Sequence, residues 1–370
     1  MTPAGETHAS IRPSHRCTPR RRDRIDGIAS AAVHPLPRMG RMSKTIVNCL
    51  PLTDTEKRDF MLAVADARRP GDDIHLEFAG DPRQRGMMGW KANVPERLRA
   101  EATAVIGNIA PGECAQYPRL EWLQTWSAGV DRYLAPGILP DGVTLTNATG
   151  AYGQSVAEHL FAMMMALMKN IPAYARQQNE RRWHDLGPAL TPCGATVLVI
   201  GTGDIGSHFA RLCKAVGART IGVRRDPTLP ADGIDAMHGF ADLDTLLPDA
   251  DVVALAVPST PQTRHLIEGR RLVMLRSTAV LLNAGRGDAV DPIALSRALA
   301  EDQLHGAGLD VTEPEPLPAD SPLWAEPHCL ITPHVAGGNH LAATEGRIIA
   351  IALENMRRYV AGEPLTNVRR

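Results

Sequence analysis

Three side chains of different chemistry follow a glycine-rich turn in the second half of the chain. The turn is Gly201-Thr202-Gly203-Asp204-Ile205-Gly206, and Arg286, Glu315 and His334 come after it in that order. A guanidinium binds a carboxylate through two parallel N–H donors. An imidazole backed by a carboxylate exchanges a proton near neutral pH. A glycine turn that opens a helix cradles phosphate. Together these groups would hold a dinucleotide and pass a hydride and a proton to and from a small keto acid.

The glycine turn gains weight from its surroundings. It follows the apolar run Thr196-Val197-Leu198-Val199-Ile200, which reads as a central parallel strand. It opens a segment in which Ile205, Phe209, Leu212 and Val216 form an apolar stripe at helical spacing, with Gly217 as the stop. In such a unit Gly201 allows the tight turn, Gly203 admits the pyrophosphate, and Gly206 lets helix and strand approach. Gly201, Gly203, Asp204, Ile205 and Gly206 are therefore candidate dinucleotide contacts. A plain glycine turn in another α/β fold is the bland alternative.

A site that prefers NAD usually carries an acid at the end of the next strand. Here Arg219–Val223 runs into Arg224-Arg225-Asp226, with Arg224 at the expected acid position. A guanidinium there suits a 2′-phosphate. NADP is thus the favoured cofactor, with Arg224 and Arg225 as its contacts. NAD is the alternative, with both arginines in solvent and Asp226 on the ribose.

The elements that must position these groups alternate strand and helix. Thr45–Leu50, Ile74–Phe78, Ala104–Ile109, Trp122–Trp126 and Val143–Thr146 read as a first parallel sheet. Arg219–Val223, Val252–Val257, Ala279–Leu282 and Leu330–Ile331 continue a second sheet from Thr196–Ile200. Ser155-Val156-Ala157-Glu158 has the form of a capping box opening an interdomain helix that ends near Pro172. A last helix is expected over Ala342–Val360, stopped by Gly362. The fold class is α/β: two Rossmann-like or flavodoxin-like parallel-sheet domains with a cleft between them. Residues 44–150 and 336–370 would form a discontinuous substrate domain, and 151–335 the dinucleotide domain with its interdomain helix. Arg286 then falls just after a strand, at the carboxyl edge where open α/β sheets bind ligands.

The chain of 370 residues is long enough for two cores. Hydrophobic residues make up 44%, charged residues 22%, and the formal net charge is -1. That balance offers no field for nucleic acid. The longest apolar run, Leu160–Met168, is far short of the roughly 20 residues that span a bilayer. Six scattered cysteines form no CxxC pair and have no histidine at metal spacing, so free thiols and no metal site are expected. Residues 1–43 are arginine-rich, and Pro13, Pro19, Pro35 and Pro37 break any helix there. They read as a disordered tail, with Met39 or Met42 as the natural start; a targeting peptide is the alternative.

With Ser127-Ala128-Gly129-Val130-Asp131, Val156-Ala157-Glu158-His159, Asn283-Ala284-Gly285-Arg286-Gly287, Gly308-Leu309-Asp310-Val311, Glu315-Pro316 and Ile331-Thr332-Pro333-His334 beside the glycine turn, the chain resembles the D-isomer-specific 2-hydroxyacid dehydrogenase family. The resemblance runs from about Thr45 to Asn367. It implies an NAD(P)-dependent enzyme that reduces a small 2-keto acid, of the glyoxylate or hydroxypyruvate class, to the D-2-hydroxy acid. Arg286 would bind the keto acid and His334 would deliver the proton. Glu315 would support the imidazole, and its retention argues against formate oxidation. Asp310 would meet the nicotinamide carboxamide. Val257, Pro258, Thr263 and Ala284 would lie along the cofactor. Backbone amides at Ile106 and Gly107 would grip the substrate carboxylate, and Ser127–Gly129 would form a hinge at the cleft mouth.

The resemblance also implies a homodimer through the nucleotide domain, and the unpaired cysteines point to reduced thiols in the cytoplasm. Phosphite oxidation and a phosphoglycerate-type reaction are rival enzymatic readings. A dinucleotide-sensing corepressor is the non-enzymatic one. Trp324 would line a pocket or an interface, and Met87–Trp90 a lid or a plain loop.

Overall fold

The larger of two sheets grows from the run Thr196–Ile200. A computed structural model describes residues 43–87, 92–338 and 341–370. The expected tail falls on residues outside the described ones, save Ser43, which opens the first strand. Met88, Gly89 and Trp90 also lie outside them.

Five short strands form the smaller sheet: β1 (Ser43–Asn48), β2 (Asp73–Phe78), β3 (Ala104–Ile106), β4 (Trp122–Gln124) and β5 (Thr144–Thr146). They are all parallel, in the order β2-β1-β3-β4-β5. Helices α1 (Asp54–Ala67), α2 (Glu96–Glu101) and α3 (Asp131–Leu134) belong to this part of the chain. Thr53 and Glu56 form a reciprocal cap that starts α1.

The larger sheet has seven parallel strands: β6 (Thr196–Ile200), β7 (Arg219–Val223), β8 (Ala236–His238), β9 (Val252–Leu255), β10 (Val280–Asn283), β11 (Gly306–Leu309) and β12 (Cys329–Ile331). Their order is β12-β11-β10-β9-β6-β7-β8. The chain winds outward in both directions from β6, so the sheet reverses between β6 and β9. Parallel sheets are covered on both faces, which is why β6, β9 and β10 are apolar apart from Thr196 and Asn283 at their ends.

On one face lie α4 (Gly153–Met168) and α6 (Asp204–Ala215). Val156, Leu160, Met163 and Leu167 of α4 share a core with Val197, Val199 and Leu282. Between them α5 (Ile171–Asn179) continues the chain past α4. The other face is covered by α7 (Leu243–Leu246), α8 (Gly269–Leu272) and α9 (Pro292–Ala300), whose Leu243, Leu272 and Leu295 pack with Leu198, Val253 and Leu281.

The last helix, α10 (Ala342–Ala361), returns to the smaller sheet. Its Ala352, Met356 and Val360 share a core with Ile46, Phe60, Ile106 and Trp122. Gly362, at φ 69°, ends it in the left-handed region. The final residues lie along β5, with Val368 bridged antiparallel to Thr146.

Three local expectations need correction. The capping box at Ser155 does not form: α4 begins at Gly153, and the Ser155 hydroxyl donates to the Ala336 carbonyl at 2.7 Å. The hydroxyl therefore joins the helix to the segment after His334 instead of closing its own first turn. Val216 is not part of the buried stripe of α6, because it follows the last helical residue and is exposed. Finally, β8 and β11 carry no strand signal in the sequence. Alanine and glycine dominate β11, where a Cβ at Gly308 would come within 2.9 Å of Leu282 and 3.3 Å of Met163. Small residues there let α4 approach the sheet, at the expense of strand propensity.

Candidate active site

At the carboxyl end of β6 the chain turns through Gly201, whose φ of 96° is a conformation that glycine adopts freely. A Cβ at Gly206 would lie 2.1 Å from the Gly201 carbonyl oxygen, so turn and helix are in contact. Gly203 differs: nothing lies within 4 Å of the position a Cβ would take. It is also the N-cap of α6, with no side-chain cap on the helix N–H groups. An open glycine beneath uncapped N–H groups and a helix dipole is the shape and charge that a pyrophosphate needs. Asp204 contributes differently from the sequence expectation. Its carboxylate accepts the Gly153 N–H at 2.8 Å, which turns it toward α4 and leaves only its backbone for an anion.

After β7, Arg224 is half-buried and Arg225 exposed. The Arg224 amide is tied to the His238 carbonyl at 3.1 Å, which fixes this residue against the edge strand. Asp226 turns away from the strand end. It accepts from the Thr228 amide at 3.1 Å and the Thr228 hydroxyl at 2.6 Å, bonds that hold its carboxyl below the usual carboxylate range. The strand end therefore carries two guanidinium groups, that of Arg224 donating through Nη1 to the Leu229 and Pro230 carbonyls at 3.4 Å, with the neighbouring acid engaged in its own turn.

The segment after β9 is closed internally. The Thr263 hydroxyl donates to the Pro258 carbonyl at 2.7 Å, and Thr263 is buried. Val257 and Ala284 are also buried, and a Cβ at Gly285 would reach the Val257 backbone at 2.7 Å. The loops after β9 and β10 thus lie against each other beside the glycine turn.

Beyond β11 and β12, Asp310 organises the chain. Its buried carboxylate accepts from the Thr332 hydroxyl at 2.7 Å, the Val335 amide at 2.9 Å and the Ala336 amide at 3.1 Å. His159 of α4 lies 2.9 Å from the same Thr332 hydroxyl, which gives the Val-Ala-Glu-His motif its place in the structure. These bonds hold the loop that carries His334 at φ 54°, an uncommon conformation for a residue with a side chain. His334 Nδ1 lies 2.9 Å from Glu315 Oε2. Glu315 is itself held by the Thr312 amide, which donates to Oε1 at 3.1 Å. A carboxylate only accepts, so this bond is made with a proton on Nδ1.

Arg286 follows β10 and reaches the other sheet. Its Nε donates to Asp131 Oδ2 at 2.8 Å, and its Nη1 donates to the Gly285 carbonyl at 2.7 Å. Nη2 lies over Gly129, where a Cβ would be 2.0 Å away. The Ser127–Asp131 segment thus meets the guanidinium directly, and is more than a hinge. Among the described residues, no group accepts from the amides of Ala128 or Gly129. Gly107 fares differently, because its amide already donates to the Gln124 carbonyl at 2.8 Å. The expected carboxylate grip at Gly107 is therefore not available in this structure. Ile106 lies buried at the end of β3, with its carbonyl accepting from the Cys49 amide. Gly129, two residues before Asp131, is the small residue that gives the Arg286 head its room.

Comparison with known proteins decides the family. Residues 161–336 match the model of the D-isomer specific 2-hydroxyacid dehydrogenase NAD binding domain. A glyoxylate reductase of Korarchaeum cryptofilum is 31% identical over 254 residues, which cover 66% of this chain and 75% of that protein. The chain belongs to the D-isomer-specific 2-hydroxyacid dehydrogenase family. A glyoxylate/hydroxypyruvate reductase B of Yersinia pestis is 30% identical over 281 residues, covering 73% of this chain and 85% of that protein. A D-isomer specific 2-hydroxyacid dehydrogenase of Xanthobacter autotrophicus, solved with NADPH and MES, aligns with a TM-score of 0.69 at 31% identity over 89% of this chain and 98% of its own.

As a member of this family the protein is an NAD(P)-dependent oxidoreductase with two parallel-sheet α/β domains. No helix among the described residues of this dehydrogenase is long and apolar enough to cross a membrane. Trp324 lies well away from a buried pocket role: it is about half exposed, and its Nε1 donates to the Pro318 carbonyl at 2.8 Å.

Proposed function

We propose that this dehydrogenase reduces a small 2-keto monocarboxylate of the glyoxylate or hydroxypyruvate class to the D-2-hydroxy acid, with NADPH preferred to NADH. The observation that carries the reading is the Glu315–His334 pair at 2.9 Å, set at the same sheet edge as Arg286. The names of the reductases to which the chain is similar support the substrate class.

In this mechanism the nicotinamide, when bound, supplies the hydride. Residues 151–335 hold the dinucleotide, with the Gly201–Gly206 turn and the uncapped start of α6 on its pyrophosphate. Arg224, with Arg225 beside it, binds the 2′-phosphate, since the nearest acid is engaged with Thr228. The NADPH complex of the Xanthobacter relative supports that choice. Residues 44–150 and 336–370 form the substrate domain. Arg286 and the free amides of Ala128 and Gly129 orient the carboxylate and polarise the carbonyl oxygen. His334 Nε2 then delivers a proton to that oxygen. This avoids a free alkoxide and contributes on the order of 10²–10⁴-fold. Glu315 keeps the imidazole oriented through Nδ1. Asp310 meets the nicotinamide carboxamide through its carboxylate, whose Oδ2 accepts from the Ala336 amide at 3.1 Å while Oδ1 holds the His334 loop.

A homodimer in the cytoplasm completes the reading. Loss of nicotinamide absorbance is the first test. NADPH and NADH are each incubated with glyoxylate, hydroxypyruvate, pyruvate and phenylpyruvate, and NADP⁺ and NAD⁺ with phosphite, where the absorbance would rise. Turnover of a 2-keto acid with NADPH is expected. Cofactor binding with no keto-acid turnover, or turnover of phosphite alone, would overturn the proposal.

A further inference from the structure

The guanidinium of Arg286 is held from the opposite sheet, by a residue to which the reaction gives no role. Asp131 is the first residue of α3, beyond the carboxyl end of β4. Its Oδ2 receives the Arg286 Nε–H at 2.8 Å. The Gly285 carbonyl receives Nη1–H at 2.7 Å, so the fork is fixed at two of its three nitrogens. The third, Nη2, lies over Gly129 at a position that any larger residue would contest. Arginine carries several rotatable bonds, and about 2 kcal/mol of rotamer entropy opposes any single placement of its head. Two anchors on either side of the fork remove that freedom before a ligand arrives, and bound geometry is what orientation catalysis requires.

We propose that Asp131 is a positioning residue for Arg286: its carboxylate oxygen holds Nε so that the Nη2 edge faces the Ala128–Gly129 amides and receives the substrate carboxylate. This rests on the reading of Arg286 as the keto-acid ligand. The acceptor oxygen, rather than the negative charge, does the positioning. Asp131 is about two-fifths exposed, so solvent screens its charge while the bond direction persists.

The test compares Asp131→Ala, Asp131→Asn and Gly129→Ala in the full chain with saturating NADPH and varied glyoxylate. Asp131→Ala should raise KM for glyoxylate about tenfold, the low end expected for losing a charge-assisted bond at a half-exposed site, with kcat changed less than about threefold. Asp131→Asn retains an acceptor oxygen and should restore KM to within about threefold of wild type. Gly129→Ala displaces the flexible head of Arg286 rather than the backbone, and should raise KM in the same manner. In an Arg286→Lys background, which has no fork to align, Asp131→Ala should add nothing further.

An unchanged KM in Asp131→Ala, or equal changes in the alanine and asparagine variants, overturns the positioning role while leaving the functional reading intact. A wild-type protein that binds NADPH but reduces no keto acid overturns both. Because the KM-against-kcat split and the asparagine rescue would not follow from general loss of fold, the NADPH dissociation constant of each variant serves as the folding control.

Discussion

His334 and Asp310 are joined twice: the His334 amide donates to the Asp310 carbonyl at 2.8 Å, and the next two amides in the chain reach the Asp310 carboxylate. The imidazole is thus placed by a buried acid that never touches it. Asp310→Ala would leave the Thr332 hydroxyl and two backbone donors without their partner in the interior. Each unsatisfied group costs about 1–3 kcal/mol. A loss of about 2–4 kcal/mol in urea unfolding is expected, with turnover falling along with it. A variant as stable as wild type would remove Asp310 from this anchoring role.

His334→Ala should lower kcat/KM by about 10²–10⁴-fold, while Glu315→Gln, which retains an oxygen to orient Nδ1, should cost less. Neither side chain lies on the glycine turn, so NADPH affinity, read by nicotinamide fluorescence, should stay within about threefold of wild type. Weak NADPH binding by His334→Ala would contradict the role given to the imidazole.

Arg224→Asp should move the preference toward NADH. A carboxylate at the end of β7 repels a 2′-phosphate and accepts from a ribose hydroxyl, so the NADPH-to-NADH ratio of kcat/KM should fall about 10- to 100-fold. The ratio is measured with one keto acid at a fixed concentration, and an unchanged value would leave the 2′-phosphate to other residues.

Acid sensitivity follows from Asp235, which ties α6 to the edge of the larger sheet. Bonds from Lys214, the Thr220 amide and the Thr220 hydroxyl depress its pKa to about 2. A depressed acid stabilises the fold above its unfolded pKa, near 4, and that contribution fades as pH falls through about 2. Between these limits Asp235→Asn should show a flatter loss of stability than wild type in urea unfolding. Parallel pH profiles for the two proteins would mean that the Lys214 contact is broken in solution.

Much of this arrangement is legible in the sequence, because parallel strands and glycine turns leave local marks. Thr196–Ile200 and Arg219–Val223 are strands at the residues their apolar runs indicate. Gly362 ends α10 where a left-handed glycine stop is expected. The failures share a physical cause, which is that a distant partner decided the local outcome. Gly306 and Gly308 form a strand because neighbouring backbone and α4 pack against them, contrary to their own propensity. Ser155 gives its hydroxyl to Ala336, 181 residues away, in place of its own helix start. The Arg286–Asp131 bond spans 155 residues, and nothing local at either residue announces it.

The return of α10 to the smaller sheet also bears on how the protein is made. Ile46 and Phe60 must wait for Ala352, Met356 and Val360 before their shared core is complete. As the chain leaves the ribosome, everything needed for the larger sheet through Ile331 has emerged while that earlier core is still open. The second half of the protein is thus able to become compact first, with the first half exposed beside it until synthesis nears its end. Chains truncated after Ile331 and released from the ribosome should therefore resist protease across the larger sheet and be cut between Ser43 and Thr146.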